Sequence, residues 1–195
     1  MRKHKKFVML SSLFLGLCVI VFIIWQLLSY RSVTTLRIGQ TYEADAIFKL
    51  VDNKHWVMKW DNSHYRSEEE LEEERAENYP SKIYPEITYL EGTYIKKKEG
   101  YYFTITKSVL VKFKSVKAVN RKEIFKKSID DTKETLYPDI PLLAKKKGQY
   151  VYHNQYSVLV GDKEKLKTES ILIDRSKEDL PNSISEFLKQ YKMTK

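Results

Sequence analysis

Three side chains of the types that bind zinc lie close together in the sequence: His55, Asp61 and His64. Imidazole nitrogens and carboxylate oxygens are ordinary zinc ligands, and a catalytic zinc site needs three protein ligands and a water molecule. Asp61 and His64, however, fall in a predicted loop after a predicted strand, and no further spacing in the chain supports a metal site. The pattern therefore favours ordinary polar surface, and we expect neither a metal nor a cofactor.

The chain also lacks the common motifs through which enzymes hold substrates and cofactors. It contains no G-x-S-x-G, P-loop, G-x-G-x-x-G or H-E-x-x-H pattern. Its single cysteine, Cys18, lies in an apolar N-terminal segment, so the rest of the chain has neither a cysteine nucleophile nor a disulfide. If the protein were an enzyme, its acid–base groups would be sought first among Asp61, His64, Asp130, Asp131 and Asp139.

A run of glutamates is the strongest local charge feature. Its members are Glu68, Glu69, Glu70, Glu72, Glu73, Glu74 and Glu77. Ser67 and Glu70 form a capping-box pattern, which predicts a helix, but Leu71 is the only large apolar residue available to face a core. The run lacks the alternating ligands and the glycine of a calcium-binding EF-hand loop. We expect a solvated helix or a partly mobile loop whose charge could engage a basic protein partner.

The segment from Thr93 to Lys127 has the opposite charge, with eleven Lys or Arg residues and two Glu. The lysines that could form a surface for an anionic ligand are Lys96, Lys97, Lys98, Lys112, Lys114 and Lys117. Alternation along a strand would place Lys112 and Lys114 on one sheet face, where they could meet wall polymers or lipid headgroups. The simpler interpretation is an ordinary solvated face that also protects a sheet edge.

The N-terminal segment predicts one membrane-spanning helix. Residues 7 to 30 are 24 residues without a charge, and at about 1.5 Å per residue they form a helix of roughly 36 Å, long enough to cross a bilayer core. Four basic residues precede this segment, and only Arg31 and Arg37 follow it closely. The positive-inside rule therefore places the N-terminus in the cytoplasm and the remaining chain outside. We expect a single-pass signal anchor in the cell membrane.

A cleaved signal peptide is the alternative. Its apolar region would be about 7 to 15 residues long and would end at a site of small residues, whereas this run is longer and no such site follows it. A lipoprotein signal is also disfavoured, because Leu17 precedes Cys18 where a small residue is expected. The predicted organisation is a basic cytoplasmic N-terminus (1–6), a transmembrane helix (7–30), a linker (31–40) and one extracytoplasmic domain (41–195).

The composition indicates a folded outer domain that does not bind nucleic acid. Hydrophobic residues make up 42% of the chain and charged residues 31%, which is typical of globular proteins. Beyond the four N-terminal basic residues, 31 basic and 26 acidic residues remain, a bias too small for a nucleic-acid-binding surface. The cysteine-free outer domain and the preference for lysine over arginine are typical of Gram-positive bacteria.

Alternating apolar and polar residues predict seven or eight short strands, joined by turns into a mostly antiparallel sheet. One strand is predicted over residues 42–51 and another over 55–60. Two more are predicted within 148–162 and would meet at residues 153–155.

Short helices complete the prediction. One is expected over residues 121–129, after a capping-box pattern. The other follows Ser183 and carries an apolar stripe that would pack on the sheet. The members of that stripe are Ile184, Phe187, Leu188 and Tyr191. The expected fold class is α+β, with two or three helices on a mostly antiparallel sheet; a half-open barrel is the alternative.

The leading hypothesis is a noncatalytic binding module that is anchored in the membrane and meets a protein partner at the cell envelope. No motif identifies a family. The layout is similar to that of membrane-anchored immunity proteins and of small accessory subunits of envelope complexes. The alternatives are an envelope enzyme acting on wall or lipid intermediates, and a binder of anionic wall polymers or lipid headgroups.

Overall fold

The computed structural model describes residues 33–131, 133–160 and 163–194. The predicted cytoplasmic N-terminus, the predicted transmembrane helix and the first two residues of the predicted linker lie outside the described residues. Within the described residues, no helix has the length and apolar character needed to cross a membrane.

The described chain is mostly antiparallel β-sheet with three short helices, as the strand pattern predicts. The helices are α1 (Glu68–Glu77), α2 (Val116–Asn120) and α3 (Ile184–Leu188). The strands are β1 (Thr41–Glu43), β2 (Ile47–Leu50), β3 (His55–Asn62), β4 (Glu86–Lys96), β5 (Gly100–Lys112), β6 (Glu123–Ile124), β7 (Lys126–Asp130), β8 (Glu134–Thr135), β9 (Leu143–Lys146), β10 (Gln149–Val160), β11 (Lys163–Leu172), β12 (Asp174–Arg175) and β13 (Lys192–Met193).

The main sheet closes on itself into a barrel. Its hydrogen-bonded neighbours follow the order β11-β10-β9-β5-β4-β3-β2-β1-β12, and only Ile173 separates β11 from β12 at the two ends of this path. The N–H of Ile173 faces the carbonyl of Tyr150 on β10, whereas Arg175 on β12 stands opposite Tyr42 on β1. The chain from β11 to β12 therefore pairs with β10 at one end of the strand order and with β1 at the other, which closes the sheet. The remaining edge of β5 pairs with β7 and β8.

Aromatic side chains fill the barrel. Phe48 on β2 lies between Tyr42 on β1 and Tyr152 on β10, with ring centroids 5.6 and 6.4 Å away. Trp56 stacks on Phe103 at 4.9 Å. All five side chains are fully buried. The contact between β2 and β10, which are not neighbours in the sheet, crosses the interior and joins these strands in one core.

A second apolar cluster covers the outer face of β3, β4 and β5, where α3 packs. The ring of Phe187 stacks on that of Tyr89 at 4.4 Å, and Ile184 is also buried. Helix α3 begins where the capping-box pattern predicts, because Ser183 Oγ accepts a hydrogen bond from the N–H of Glu186. The helix ends at Leu188, before the last residue of the predicted stripe.

Two buried lysines hold the segment before α3 against the same face. Lys59 on β3 pairs with both carboxylate oxygens of Glu178 at 2.5 and 2.7 Å. Lys49 on β2 lies 3.3 Å from the carboxylate of Asp179 and donates to the carbonyl of Leu180. Because buried ammonium groups require such partners, these contacts fix the path of the chain from β12 to α3.

Three predicted elements differ from the structure. Residues 42–51 form two strands, because the chain reverses at residues 44–46, where Ala44 N–H bonds to the carbonyl of Ala46. The predicted helix over 121–129 is wrong: β6 and β7 occupy this stretch, and β7 pairs with the open edge of β5. Residues 149–160 form one continuous strand, so the predicted turn at 153–155 is also wrong.

The two ends of the barrel carry different segments. We call the basic end the one formed by residues 33–40 and by the turns 52–54, 96–99 and 145–148. The distal end holds the turn between β1 and β2, the loop from β3 to β4 that contains α1, and α2 after β5. Strand β4, which connects the two ends, has 11 residues, so the ends lie about 33 Å apart.

Candidate binding surfaces

The acidic segment forms α1 at the distal end. Ser67 Oγ accepts a hydrogen bond from the N–H of Glu70 at 3.3 Å, which confirms the predicted helix start. Leu71 is fully buried. Arg75 donates to the backbone carbonyls of Ile83 and Lys114, both at 2.9 Å. The helix lacks an apolar stripe, and these few contacts attach it to the domain.

Four of the seven glutamates of α1 have partners within the domain: Glu68, Glu70, Glu72 and Glu74. The Glu68 carboxylate accepts the N–H groups of Val116 and Lys117 at the start of α2, at 3.2 and 2.9 Å. The other three glutamates have exposed side chains that recur every four residues on one helix face. They are Glu69, Glu73 and Glu77. This face presents three exposed carboxylates to a partner.

A cleft of about 640 Å³ opens between α1 and the distal ends of the neighbouring strands. Strand β3 contributes Asp61, β4 contributes Glu86 and β5 contributes Lys112. The polar lining further includes Asn62, His64, Tyr65, Glu70, Glu74, Lys82 and Tyr84. With four carboxylates and two lysines, the cleft favours a cationic side chain over an anionic one.

Hydrogen bonds, burial and a neighbouring charge shift the pKa values of two residues in the cleft, Asp61 and Tyr65. Burial raises the pKa of Asp61, but the hydrogen bond from Ser63 Oγ (2.5 Å) and the Lys59 ammonium (3.1 Å) outweigh it and hold this pKa below its usual 3.8. Burial and a hydrogen bond with Glu74 raise the pKa of Tyr65 to about 12. Asp61 is therefore ionised at neutral pH and is not a proton donor.

The residues first considered for zinc do not converge. His55 lies at the basic end of β3, where its Nδ1 is 2.8 Å from Asp52, whereas His64 lies 3.4 Å from Asp61 at the distal end. Hydrogen bonds from His55 lower the pKa of Asp52 to about 2. Across residues 33–131, 133–160 and 163–194, no group of three His, Cys, Asp or Glu side chains is arranged to hold a metal ion.

The candidate acid–base residues are also dispersed. Asp61 and His64 share the cleft. Asp130 ends β7, Asp131 forms an ion pair with Lys107 of β5 at 3.2 Å, and Asp139 is exposed in the irregular segment between β8 and β9. The structure thus brings two of the five candidates together.

The six candidate lysines occupy both ends of the barrel. Lys112, Lys114 and Lys117 are at the distal end, where Lys112 pairs with Glu86 at 2.8 Å. The other three belong to the turn between β4 and β5 at the basic end: Lys96, Lys97 and Lys98. Strand β5, with 13 residues, separates the two groups by about 40 Å. A compact anionic ligand can contact only one of them.

A projecting β-ribbon is the surface that the sequence does not predict. Strand β10 pairs with β9 only over residues 149–152, whereas its pairing with β11 continues to Val160. We call residues 154–160 and 163–169 the ribbon. It exposes large apolar side chains, including 79% of Leu159 and 67% of Leu166. The apolar run of β10 is a sequence signal for a buried strand, and only the tertiary structure shows that these residues are exposed.

The ribbon leaves the barrel at its distal end. Asn154 Nδ2 donates to the carboxylate of Asp45, in the turn between β1 and β2, at 3.2 Å. Beyond this contact the strand runs six more residues to Val160, which corresponds to about 20 Å. Comparison of the chain with protein-family models, with curated proteins and with solved structures finds no match.

Proposed function

We propose that this protein is a noncatalytic binding module, anchored in the cell membrane, whose ribbon and α1 hold a protein partner at the outer surface. The ribbon is the observation that carries the proposal. Large apolar side chains on a monomer surface mark interaction sites when they form a continuous patch. Inhibition of a secreted toxin and attachment to an envelope complex are the two roles that suit such a module.

The cross-strand register places the exposed leucines together. Ser157 stands opposite Leu166, and Leu159 stands opposite Glu164, so the two leucines are diagonal neighbours on one face of the ribbon. Diagonal neighbours are about 7 to 8 Å apart, within reach of long side chains. The face therefore carries one apolar spot, which a partner would cover.

The opposite face of the ribbon combines apolar and basic residues. Tyr156, Val158 and Val160 lie along β10 on this face. The residues opposite them on β11 are Lys167, Lys165 and Lys163, respectively. A two-stranded ribbon is marginally stable in isolation, and binding of a partner to either face would order it. The leucine face carries the two most exposed large apolar side chains of the ribbon, Leu159 and Leu166.

The acidic surface at the distal end indicates the character of the partner. Helix α1 presents Glu69, Glu73 and Glu77 to solvent, and the neighbouring cleft has an excess of carboxylates. A partner with an apolar patch next to Lys or Arg side chains would match the ribbon and α1 together.

The cellular location is supported by the sequence alone. The uncharged segment of residues 7–30 and the basic residues before it favour a single-pass anchor with the N-terminus in the cytoplasm. Under this topology the domain lies outside the cell and meets secreted or envelope proteins.

Photo-crosslinking in intact cells tests the proposal. A photoreactive residue replaces Leu159 in the full-length protein, and a matched protein carries it at Glu134, an exposed position on β8 that pairs with Ile105 away from the distal end. We expect one protein to be crosslinked from the ribbon and not from β8. The double substitution L159S/L166S should then reduce recovery of that protein at least about tenfold, because exposed apolar anchors dominate such interfaces. Equal crosslinking from both positions, or unchanged recovery with L159S/L166S, would refute the proposed site.

An envelope enzyme is the second candidate, favoured by the cleft that holds Asp61 and His64. Asp61 is held ionised by Ser63 and Lys59, which suits a base or an electrostatic role. If the full-length protein converted a wall or lipid intermediate and D61N abolished the turnover, the noncatalytic proposal would be replaced by this one.

A further inference from the structure

We propose that the basic end of the barrel docks onto an anionic phospholipid surface through the lysines of its β4–β5 and β9–β10 turns. The inference rests on the membrane anchor of the proposed function and adds a second binding surface, separate from the ribbon. It assigns to the basic end the role of holding the domain against the bilayer in one orientation.

The two lysine-rich turns are neighbours in space although they are far apart in sequence. Gly100 at the start of β5 stands opposite Ala144 of β9, and Tyr101 stands opposite Leu143. Because the two strands are antiparallel, the turn before β5 and the turn after β9 lie at the same end of the barrel. Together the turns expose six lysines: Lys96, Lys97, Lys98, Lys145, Lys146 and Lys147.

Tyrosine rings lie beneath these lysines. The Nζ atom of Lys96 is 5.4 Å from the centroid of Tyr101, and that of Lys145 is 5.9 Å from the centroid of Tyr150. The centroids of the two rings are 6.0 Å apart, so the tyrosines beneath the two turns contact each other. Tyr101 is 7% exposed and Tyr150 is partly buried, so the rings support the lysine side chains from below and the lysines are the groups that reach a surface.

The outer side of the same turn is also amphipathic. Lys97 Nζ lies 4.5 Å from the ring centroid of Tyr102, and the adjacent Ile95 is 57% exposed. Exposed aliphatic and aromatic residues next to lysines are the composition expected of a surface that rests on headgroups and reaches the first part of the acyl region.

The charge of this end is strongly one-sided. Its defining segments contain eight basic side chains and two acidic ones, Asp52 and Glu99. The glutamate-rich α1 lies at the other end of the barrel, which leaves the lysines without nearby compensation by a large acidic segment. Each lysine near an anionic lipid surface strengthens binding by about fivefold, so six lysines acting together form a substantial electrostatic contact.

The chain joins the domain at this end. The carbonyl of Val33 accepts the N–H of Tyr150 at 2.7 Å, next to Lys145. The predicted membrane segment ends at Tyr30, and three residues extend about 10 Å at most. If residues 7–30 span the membrane as proposed, a tether this short gives the basic end a high effective concentration near the headgroups. Wall polymers share the phosphate chemistry, but the short connection to the proposed anchor favours the bilayer as the ligand.

The test compares lysine accessibility of the full-length protein in two kinds of nanodisc. One kind contains phosphatidylcholine, and the other contains equal parts of phosphatidylcholine and phosphatidylglycerol. A water-soluble amine reagent and mass spectrometry report the reaction rate of each lysine. We expect the six lysines to react about fivefold or more slowly in the anionic nanodiscs. Lys163, Lys165 and Lys167 on the ribbon are the internal reference and should not change.

A matched pair of variants assigns the effect. The triple substitution K96Q/K97Q/K98Q should restore reactivity of Lys145, Lys146 and Lys147 in anionic nanodiscs. The triple substitution K163Q/K165Q/K167Q, which removes the same charge from the ribbon, should leave their protection intact. Protection should also disappear at about 1 M salt, where the Debye length falls to about 3 Å.

The outcomes separate this inference from the proposed function. Equal reactivity in both nanodiscs would overturn the docking surface while leaving the anchor and the ribbon unaffected. Protection that requires added soluble polyglycerol phosphate and not anionic lipid would also overturn it, in favour of a wall polymer. If the protein failed to remain with either nanodisc, the anchor itself would be refuted, together with the docking inference.

Discussion

The buried ammonium of Lys59 attaches the segment before α3 to the outer face of the sheet. Its side chain is 10% exposed and contacts two carboxylates, those of Asp61 and Glu178. Asp61 is 12% exposed and keeps a hydrogen bond with Ser63 when the lysine is removed. Loss of one partner from a buried pair is costly because the other charge remains desolvated.

The substitution K59M should lower the free energy of unfolding by about 2 to 4 kcal/mol. Methionine preserves most of the apolar stem, so the loss reports the charge rather than the packing. Chemical denaturation of the full-length protein in detergent measures the change. K54M, at an exposed lysine in the β2–β3 turn, is the control and should change stability little. If K59M and K54M lowered the free energy of unfolding equally, the buried ion pairs of Lys59 would contribute no more to stability than an exposed lysine.

The pH dependence of K59M provides a second test at this residue. In the wild type the folded-state pKa of Asp61 lies below its usual 3.8, so its contribution is complete above that value and is lost as the pH falls through the folded-state pKa. In K59M, burial still raises this pKa and the lysine no longer lowers it. The stability of K59M should therefore fall less between pH 5 and 3, about the range in which carboxylates titrate. Parallel pH profiles for the two proteins would contradict this assignment.

At the scale of elements, α1 is attached to the barrel by few side chains. Leu71 is its one buried residue, and the bonds from Arg75 and to Glu68 attach the rest. Segments with few buried apolar contacts open locally at low free energy. Helix α1 should therefore be a separate opening unit at the distal end.

The substitution L71A should release α1 before the barrel. Replacing a buried leucine by alanine costs about 2 to 5 kcal/mol. We expect amide hydrogen exchange of residues 68–77 to become fast while the strands β3 to β5 stay protected. E73A, at an exposed position of the same helix, should leave the exchange of α1 nearly unchanged. Uniform loss of protection throughout the domain would show instead that α1 and the barrel unfold together.

The predictable parts of the architecture are those that depend on residues close together in the sequence. The starts of α1 and α3 were predicted, because a capping box needs only residues three apart, such as Ser67 and Glu70. The same local pattern after Asn120 was misleading, since β7 instead satisfies the open edge of β5. The closure of the sheet through Ile173 joins strands distant in sequence, and no local pattern encodes it.

In the candidate surfaces, too, the residues that are close in sequence were predicted, and those brought together by strand pairing were not. The glutamate run predicted α1, and the lysines before β5 predicted part of the basic end. Lys145, Lys146 and Lys147 were missed because only the pairing of β5 with β9 brings them to the same place. The exposure of Leu159 was missed because a strand's burial depends on what packs against it, and the apolar pattern of a ribbon resembles that of a core strand.

At the scale of the whole molecule, the two ends of the domain carry different surfaces. The basic end carries the point where the chain joins the domain, and the distal end carries α1, the cleft and the ribbon. Under the two proposals, the lysines would face the bilayer and the partner would bind at the distal end. The two ends are about 33 Å apart along β4. The domain would therefore be able to contact the bilayer and the partner at the same time.

Charge and apolar contact at the distal end should act on different steps of partner binding. Exposed charges mainly accelerate association, whereas apolar anchors mainly slow dissociation. With the partner identified by crosslinking, E73Q/E77Q should reduce the association rate constant by about twofold to tenfold at low salt and little at high salt. L159S should instead raise the dissociation rate constant. Surface plasmon resonance with the full-length protein in nanodiscs measures both.

The position of the glutamates on α1, and not net charge alone, should determine the change in the association rate constant. E99Q/E134Q removes two negative charges from the basic end and from β8, so its net charge equals that of E73Q/E77Q. The two double variants are compared at physiological salt, where the screening length of about 8 Å is short compared with the barrel, so association of this control should remain close to the wild-type rate. If both double variants slowed association equally, the partner would sense the overall charge of the domain and α1 would have no special place in recognition. If only E73Q/E77Q slowed it, α1 would be assigned to the binding surface beside the ribbon.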